Sequence, residues 1–332
     1  MRILVTGGCG FIGSNFVRFL LDHYQPLLVT NVDALTYAGN IENIAGSTDA
    51  FGERYEFFLV DIADVAAMRE IFSKQKYYAV VNFAAESHVD RSIQRSLNFG
   101  HSNVTGVNVL LELCREFHVK RFLQISTDEV YGDHAGDTPF TETSPLNPSS
   151  PYSASKASAD MLALAAAKTY GQEIIITRCT NNYGSFQHPE KFIPRAITQA
   201  LSDESIPVYG DGKQRRDWLH VHDHCRALQV ILLEGRAGEI YNISAGHECS
   251  NLDLAKQILS KLGKPESLLR HVSDRLGHDK RYFIDSSKLR RELDWKPNYD
   301  FETGLEETLQ WYQANHDWWE PKLQDSRQTL PA

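Results

Sequence analysis

Short apolar runs and amphipathic segments alternate along the first half of the chain. The apolar runs are rich in Val, Ile, Leu and Phe, the composition of strands that are buried on both faces. We predict strands at residues 2–6, 27–32, 55–60, 79–85, 122–127 and 173–177. Helical periodicity between the runs predicts helices at residues 14–23, 65–73, 103–117 and 152–170. This alternation predicts an α/β fold built on a doubly wound parallel sheet.

The pattern changes after about residue 180, where prolines interrupt shorter apolar segments. Helical periodicity returns at residues 221–233, 252–262 and 301–319. We therefore predict a first domain at residues 1–180 and a smaller C-terminal α/β lobe at residues 181–332. A segment near residues 218–246 is a candidate to return to the first domain.

Composition excludes several classes of protein. The 332 residues are 42% hydrophobic and 23% charged, and the net charge of −9 argues against nucleic-acid partners and anionic membranes. The longest apolar stretch, residues 161–167, is far shorter than the ~20 residues of a membrane span, and we see no signal peptide. Five scattered cysteines without a CxxC pair indicate neither disulfides nor zinc. We therefore expect a cytoplasmic protein.

A glycine motif follows the first predicted strand. Gly7, Gly10 and Gly13 lie at a strand-to-helix turn, where small residues allow a pyrophosphate to approach the helix N-terminus. Asp33 follows Gly13 by twenty residues, at the end of the second strand, where a carboxylate binds ribose hydroxyls and disfavours a 2′-phosphate. The motif predicts a Rossmann domain that binds NAD, although a purely structural glycine turn is the alternative.

Tyr152 and Lys156 have the spacing of side chains on one helix face. A tyrosine, with a pKa of about 10, is a poor base at neutral pH. A nearby ammonium together with a positively charged nicotinamide would stabilise the phenolate. We predict that Tyr152 takes a proton from an alcohol while hydride leaves for NAD; a capped surface helix is the alternative.

Asp128 and Glu129 directly follow the predicted strand at residues 122–127. Hydride transfer needs no acid pair, whereas elimination of water needs a base for the proton α to a ketone and an acid for the leaving hydroxyl. A turn pair with no chemical role is the alternative. A nucleotide-sugar 4-epimerase would need Tyr152 without the acids, and an NAD-binding regulator would need neither.

These motifs resemble the extended short-chain dehydrogenase/reductases of the NAD-dependent epimerase/dehydratase family and, within them, the dTDP-glucose 4,6-dehydratases. The similarity runs from residue 1 to about residue 320 and includes Ser-Thr-Asp-Glu-Val-Tyr-Gly at 126–132, Tyr-Ser-Ala-Ser-Lys at 152–156 and Arg-Asp-Trp-Leu-His at 216–220. The resemblance implies that dTDP-glucose loses water to give dTDP-4-keto-6-deoxyglucose, with tightly bound NAD recycled. It makes residues 1–180 the NAD-binding domain and residues 181–332 the nucleotide-sugar-binding domain.

The resemblance also implies roles for individual residues. In the oxidation step, Tyr152 with Lys156 would deprotonate the C4 hydroxyl of the sugar, and Thr127 would hold the C4 oxygen. In the dehydration step, Glu129 would take the C5 proton and Asp128 would protonate the C6 hydroxyl. The cofactor residues would be Gly7, Gly10, Phe11, Ile12, Gly13, Asp33, Ala34, Leu35, Thr36, Asp61, Ile62, Phe83, Ala84, Ala85, Ser87, Ser102, Tyr152, Lys156 and Asn182. The substrate residues would be Ser87, Thr127, Asn181, Lys191, Phe192, Pro207, Tyr209, Arg216, Asn251, Asp274, Arg275 and His278.

Two further expectations concern assembly and metals. The helices at residues 103–117 and 152–170 carry surplus apolar residues, among them Val107, Leu110 and Met161. In related folds two such helices pair across a two-fold axis, so we predict a homodimer through a four-helix bundle. His220, His222 and His224 have a metal-like spacing, but we expect them to be structural and no metal to bind.

Overall fold

The computed structural model describes residues 1–44 and 51–329. The strands are β1 (Arg2–Thr6), β2 (Leu28–Asp33), β3 (Tyr55–Leu59), β4 (Ala79–Asn82), β5 (Arg121–Thr127), β6 (Ile174–Cys179), β7 (Asn181–Tyr183), β8 (Ile206–Tyr209), β9 (Arg215–His220), β10 (Ile240–Ile243), β11 (Glu248–Ser250) and β12 (Leu269–Val272).

The α-helices are α1 (Phe11–His23), α2 (Val65–Lys74), α3 (Val89–Gln94), α4 (Ser96–Gly100), α5 (Val107–Glu116), α6 (Pro151–Tyr170), α7 (Phe192–Leu201), α8 (Val221–Glu234), α9 (Asn251–Lys261), α10 (Ser287–Leu293), α11 (Phe301–Ala314) and α12 (His316–Thr329). A π-helical segment covers His101–Gly106, and 3₁₀ turns cover Gly52–Arg54, Asp128–Tyr131 and Glu266–Leu268.

A parallel sheet of seven strands forms the centre of the protein, in the order β10-β6-β5-β4-β1-β2-β3. Alternate side chains of β1 enter two different cores. Ile3 and Val5 pack with α1 and α8, whereas Leu4 packs with α2, α5 and α6. Because helices cover both faces of the sheet, the strands are continuous apolar runs in the sequence. The predicted doubly wound α/β fold is confirmed.

The segment near residues 218–246 contributes to the central sheet. Strand β10 pairs in parallel with β6, so that Ile240 lies opposite Ile176. Helix α8, which precedes β10, packs against α1 through Leu228 and Ile231. The chain therefore leaves the sheet after β6 and returns to it about sixty residues later.

The second lobe has its own core. Strands β11, β9 and β7 form one small sheet and β12 pairs with β8. Helices α7, α9 and α11 cover these strands through Ile193, Ile258 and Leu305, which are all fully buried. No helix of the described residues is both long enough and apolar enough to cross a membrane.

Two predicted helices differ from the observed ones. The predicted helix at residues 301–319 is two helices that meet at Asn315, whose side-chain amide donates to the main-chain oxygen of Trp311 and whose backbone is not helical. Asparagine side chains compete in this way with the helical hydrogen bonds. The predicted helix at residues 103–117 is π-helical at its start, where Gly106 leaves room for Ile62.

Candidate active site

The glycine motif builds the first wall of a deep cleft at the carboxyl edge of the sheet. Gly7 has a φ of +70°, and a Cβ there would lie 2.5 Å from the main-chain nitrogen of Ala84 on the next strand end. A Cβ on Gly13 would collide with the carbonyl oxygen of Gly7. These two positions therefore require glycine for the packing of the loop itself.

Gly10 is the N-cap residue of α1, and no side chain caps this helix end. The first turn of α1 also carries no acidic residue. The free amides of a helix N-terminus and its dipole attract an anion, so this end suits the pyrophosphate of a dinucleotide. The residues present therefore fit the predicted cofactor.

Asp33 ends β2 beside the glycine loop. Its carboxylate accepts hydrogen bonds from the amides of Cys9, at 2.9 Å, and Leu35, at 2.8 Å. Burial raises the pKa of Asp33, and these two hydrogen bonds act in the opposite direction. The carboxylate thus fixes the glycine loop and also faces the cleft.

Most of the predicted cofactor residues lie together in this cleft, which has a volume of about 300 Å³. Those that line it are Gly7, Gly10, Phe11, Ile12, Gly13, Asp33, Ala34, Thr36, Asp61, Ile62, Phe83, Ala84, Ala85, Ser87, Ser102, Tyr152, Lys156 and Asn182. Leu35 does not line it. Leu35 has a φ of +48°, and its amide rather than its side chain serves the site, through Asp33.

Tyr152 and Lys156 lie in the first turns of α6 and both line the cleft. Ser150 caps the helix by accepting from the amide of Ser153, and Pro151 occupies the first helical position. These are the residue types that favour a helix start. The local sequence therefore places the phenol and the ammonium next to the end of β5.

Burial and several neighbouring groups affect the pKa of Tyr152. Burial raises the pKa of Tyr152 well above its ordinary value, and the carboxyl groups of Glu129 and Asp128 raise it further, whereas a hydrogen bond with Thr127 lowers it. The ammonium of Lys156 donates to the main-chain oxygen of Ile125 at 2.6 Å, and burial lowers its pKa. The protein alone therefore favours the neutral phenol form of Tyr152.

Asp128 and Glu129 begin a 3₁₀ turn at the end of β5, and both line the same cleft as Tyr152. Thr127 caps this turn, since its hydroxyl accepts from the amide of Glu129 and lies 3.3 Å from Oδ1 of Asp128. Among the described residues the other oxygen of Asp128 has no hydrogen-bond partner. Burial raises the pKa of Asp128 well above its ordinary value, and the neighbouring Glu129 raises it further. Asp128 is therefore suited to carry a proton at neutral pH.

Glu129 has a more cationic environment than Asp128. Burial raises its pKa, but Arg275, Arg216 and Lys191 all act to lower it. Its Oε2 also lies 3.4 Å from the hydroxyl groups of Ser153 and Tyr282. Two carboxyl groups whose surroundings differ in this way can serve as acid and base in one site.

Four of the predicted substrate residues line the cleft: Ser87, Thr127, Asn181 and Lys191. The ammonium of Lys191 donates to the main-chain oxygen of Ser87 at 2.9 Å, which joins the second lobe to the first. The structure does not bring the other eight to the lining of this cleft: Phe192, Pro207, Tyr209, Arg216, Asn251, Asp274, Arg275 and His278.

Several of these eight have internal partners in the second lobe. Arg216 donates to main-chain oxygens of Arg215 and Asp279, and His278 pairs with Asp274 at 2.6 Å. Arg275 lies 3.7 Å from Asp90 of the first lobe, and its buried Nε has no hydrogen-bond partner among the described residues. Arg216 and Arg275 still lie close enough to Glu129 to lower its pKa.

Sequence reasoning missed several residues of the site. Gln187, His188 and Glu190 line the cleft next to Lys191. Glu190 is buried, and its carboxylate lies 3.5 Å from His88 and 3.8 Å from Lys191. The motif Pro-Glu-Lys at 189–191 could have indicated that Glu190 belongs to the site. The contact of Tyr282 with Glu129 could not be predicted from local sequence, because the two residues are 153 positions apart.

Two of the histidines with metal-like spacing, His220 and His224, contact different neighbouring residues. His220 stacks on Tyr299 with 3.9 Å between ring centres, and His224 bonds to the side chain of Asn182 at 2.8 Å. Burial lowers the pKa of both histidines to about 3. In the described part of the chain no group of three His, Cys, Asp or Glu side chains is arranged to hold a metal ion.

Comparison with known proteins finds relatives that match nearly the whole chain. A dTDP-glucose 4,6-dehydratase of Streptomyces niveus is 49% identical over 325 residues, which cover 97% of this chain and 95% of the relative. The crystal structure of a dTDP-glucose 4,6-dehydratase from Bacillus anthracis, solved in complex with NAD, is 47% identical with a TM-score of 0.91 and covers 97% of this chain and 99% of the other. A dTDP-glucose 4,6-dehydratase structure from Streptomyces venezuelae, with NAD bound, is 46% identical with a TM-score of 0.93 and covers 97% and 100%.

The resemblance inferred from the motifs is confirmed, because these relatives and structures match nearly the whole chain. The sequence model of the GDP-mannose 4,6 dehydratase family also matches residues 4–308. The chain therefore belongs to the GDP-mannose 4,6 dehydratase family.

Proposed function

We propose that the protein catalyses the NAD-dependent 4,6-dehydration of dTDP-glucose, which gives dTDP-4-keto-6-deoxyglucose and water. The observation that carries this proposal is the acid pair Asp128 and Glu129 in the same cleft as Tyr152 and the glycine loop. The relatives that match nearly the whole chain are dTDP-glucose 4,6-dehydratases. The enzyme is therefore a hydro-lyase that uses its cofactor without consuming it.

The cofactor is NAD, which supplies a hydride acceptor that later returns the hydride. The uncapped N-terminus of α1 would bind the pyrophosphate, and Asp33 would bind the ribose hydroxyls. The negative charge of Asp33 also disfavours a cofactor with a 2′-phosphate. The two structures described above contain NAD, which supports the assignment.

Tyr152 acts first, as the base for the C4 hydroxyl of glucose. Its hydroxyl interacts with Thr127, which is placed to hold the C4 oxygen as the proton leaves. The ammonium of Lys156 lies one helical turn away and donates to the main-chain oxygen of Ile125. This charge favours the phenolate form of Tyr152 once proton transfer begins.

The acid pair acts second, on the 4-keto sugar. The ketone acidifies C5, and Glu129, kept closer to its ionised form by three cations, takes the C5 proton. Asp128, whose pKa burial raises, donates its proton to the C6 hydroxyl, which leaves as water. A proton then returns to C5 when C6 is reduced.

Two other functions fit part of the evidence. A nucleotide-sugar 4-epimerase would use Tyr152 and the cofactor, but it has no need for a protonated Asp128 beside a carboxylate. An NAD-binding regulator would need no reactive group, and it could lose Tyr152 and Lys156 at no cost. Fold alone does not separate these functions, whereas the acid pair favours dehydration.

The second lobe would bind the nucleotide diphosphate. Arg216 and Arg275 are cations suited to phosphate, and the buried Nε of Arg275 has no hydrogen-bond partner in the described residues. We accordingly assign residues 1–180 mainly to NAD binding and residues 181–332 mainly to the substrate, with residues 240–243 in the first domain's sheet.

A homodimer through a four-helix bundle is also proposed. Val107, Leu110 and Leu111 are buried within the chain and do not support it. The support comes from Met161, which is 48% exposed on the outer face of α6, and from Leu97, which is 87% exposed on α4. A groove lined by Pro145, Leu146 and Met161 adjoins this face and would accept the α6 helix of a second copy.

A cytoplasmic location is the remaining proposal. Both NAD and nucleotide-activated sugars are cytoplasmic metabolites, and all five cysteines are buried free thiols. Fractionation of cells that express the protein would test it: recovery with a cytoplasmic marker enzyme is expected, and recovery with a membrane or secreted fraction would contradict it.

The function is tested by incubating the pure protein with dTDP-glucose and, separately, with UDP-glucose. We expect a product lighter by one water from dTDP-glucose and much slower conversion of UDP-glucose. Unchanged mass with an inverted C4 hydroxyl would show an epimerase, and no change with either sugar would favour a binding protein.

A further inference from the structure

A chain of hydrogen-bonded side chains leads from Glu129 to the protein surface. The hydroxyl of Tyr282 lies 3.4 Å from Oε2 of Glu129 and 2.8 Å from Oδ2 of Asp279. Ser149 donates to the same oxygen of Asp279. Tyr282 and Asp279 are buried, whereas Ser149 is exposed. We infer that Tyr282 and Asp279 relay protons between Glu129 and solvent during the proposed dehydration, on which this inference rests.

A phenol between two carboxyl groups can move a proton without becoming charged, because it accepts one hydrogen bond while it donates another. Glu129 takes the C5 proton and becomes a carboxylic acid. Its O–H proton then passes to the oxygen of Tyr282 as the Tyr282 proton passes to Oδ2 of Asp279. Asp279 loses a proton through Ser149 to water, which restores all three groups; no electrons are transferred.

Arg216 holds the relay in position. Its guanidinium lies 4.2 Å from the centre of the Tyr282 ring, and it donates to the main-chain oxygen of Asp279 at 2.9 Å. Burial and the two carboxyl groups raise the pKa of Tyr282 well above its ordinary value, so the phenol stays protonated between transfers. Tyr282 and Asp279 are therefore positioning residues that act through Glu129.

The hydroxyl group of Ser153 also contacts Glu129, but it does not connect Glu129 to the protein surface. Ser153 therefore provides a matched control. Ser153 lies 3.4 Å from the same Oε2 atom and bonds to Ser150, which is buried. This branch ends inside the protein, next to the start of α6. Ser153→Ala therefore removes one partner of Glu129 while the path through Tyr282 remains.

The test follows hydrogen at C5 in heavy water. Unlabelled dTDP-glucose is converted in D₂O by excess NAD-loaded enzyme, and the protium kept at C5 of the first product is measured. We expect mostly deuterium with the wild type and with Ser153→Ala. Tyr282→Phe and Asp279→Asn should keep several-fold more protium, because Glu129 then returns the proton that it took. Product incubated alone in D₂O corrects for exchange without the enzyme.

Each outcome decides a different point. Wild-type product that keeps its C5 protium, or labelling unchanged in both variants, would overturn the relay and leave the dehydration standing. A wild type that forms no dehydrated product would overturn the proposed function and the relay with it. If Tyr282→Phe gives no product at all, Asp279→Asn decides alone, and wild-type labelling in that variant would overturn the relay.

Discussion

Asp128 and Glu129 are adjacent in the chain, yet their carboxyl groups differ in their electrostatic surroundings. Three cations act to lower the pKa of Glu129. For Asp128, Arg216 and a hydrogen bond with Thr127 act to lower the pKa, whereas Glu129 and Asp217 raise it. One oxygen of Asp128 also has no hydrogen-bond partner among the described residues. This difference supports the proposed roles of Asp128 as the acid and Glu129 as the base.

The first prediction concerns stability and pH. The pKa of Asp128 is raised in the folded state above its unfolded value of about 3.9, so folding binds a proton and stability falls as pH rises above that value. Asn cannot ionise, so Asp128→Asn should unfold at a higher temperature than the wild type at neutral pH. The difference should shrink towards pH ~4. Thermal unfolding followed at both pH values checks this, and an equal difference at both would contradict it.

The second prediction separates the steps of the reaction. Asp128→Asn and Glu129→Gln keep the shape of the side chains but cannot donate or accept the required proton. Because Tyr152 and Lys156 remain, substrate should still reduce the bound cofactor, which is visible by absorbance. Formation of dehydrated product should fall by about 10²–10⁴-fold, the usual contribution of a general acid or base.

Two results with these acid variants would contradict the proposed mechanism. If both turn over like the wild type, the acids are structural and dehydration has no chemical basis here. If neither allows the cofactor to be reduced, the acids act in oxidation or in binding the sugar, and the division of roles is wrong.

The third prediction concerns Tyr152. Tyr152→Phe removes the base for the C4 hydroxyl but keeps the ring, so NAD should bind and should not be reduced by substrate. Turnover should fall at least ~10²-fold. Tyr170→Phe, on an exposed residue at the end of α6, is the control and should behave like the wild type. Reduction of the cofactor by the Tyr152 variant at the wild-type rate would assign the base elsewhere.

The fourth prediction concerns assembly. Met161→Glu places a charge on the exposed apolar face of α6 and should convert the dimer to a monomer at micromolar concentration, because burying an unpaired charge is costly. Leu59→Glu changes an exposed apolar residue on β3 and should leave the dimer intact. Light scattering gives the mass of each, and a monomeric wild type would refute the dimer.

Many of the residues found from sequence lie in local motifs at strand ends, whereas Tyr152 and Lys156 lie at the start of α6. The glycine loop follows β1, Asp33 ends β2, and Asp128 and Glu129 follow β5. In a parallel sheet all these ends meet at one edge, so the strand pattern and the motifs together predict one cleft. Leu35 lies two residues after Asp33, yet it has a φ of +48° and does not line the cleft.

Residues that reach the site by tertiary packing could not be found in this way. Tyr282 contacts Glu129 across 153 positions, and it lies three residues beyond the matching segment at residues 274–279. The return of β10 to the sheet likewise depends on its pairing with β6, which the apolar pattern alone left open. The proposed phosphate cations Arg216 and Arg275 follow from the resemblance, and a matching motif does not tell whether a side chain lines a cleft.

The most direct test of the central claim is the mass and label position of the product from dTDP-glucose deuterated at C4. We expect a product lighter by one water, with the deuterium transferred from C4 to C6 and no net reduction of NAD. An oxidised sugar that has lost its deuterium to an equal amount of reduced cofactor would contradict this result, and so would a sugar of unchanged mass with its C4 hydroxyl inverted.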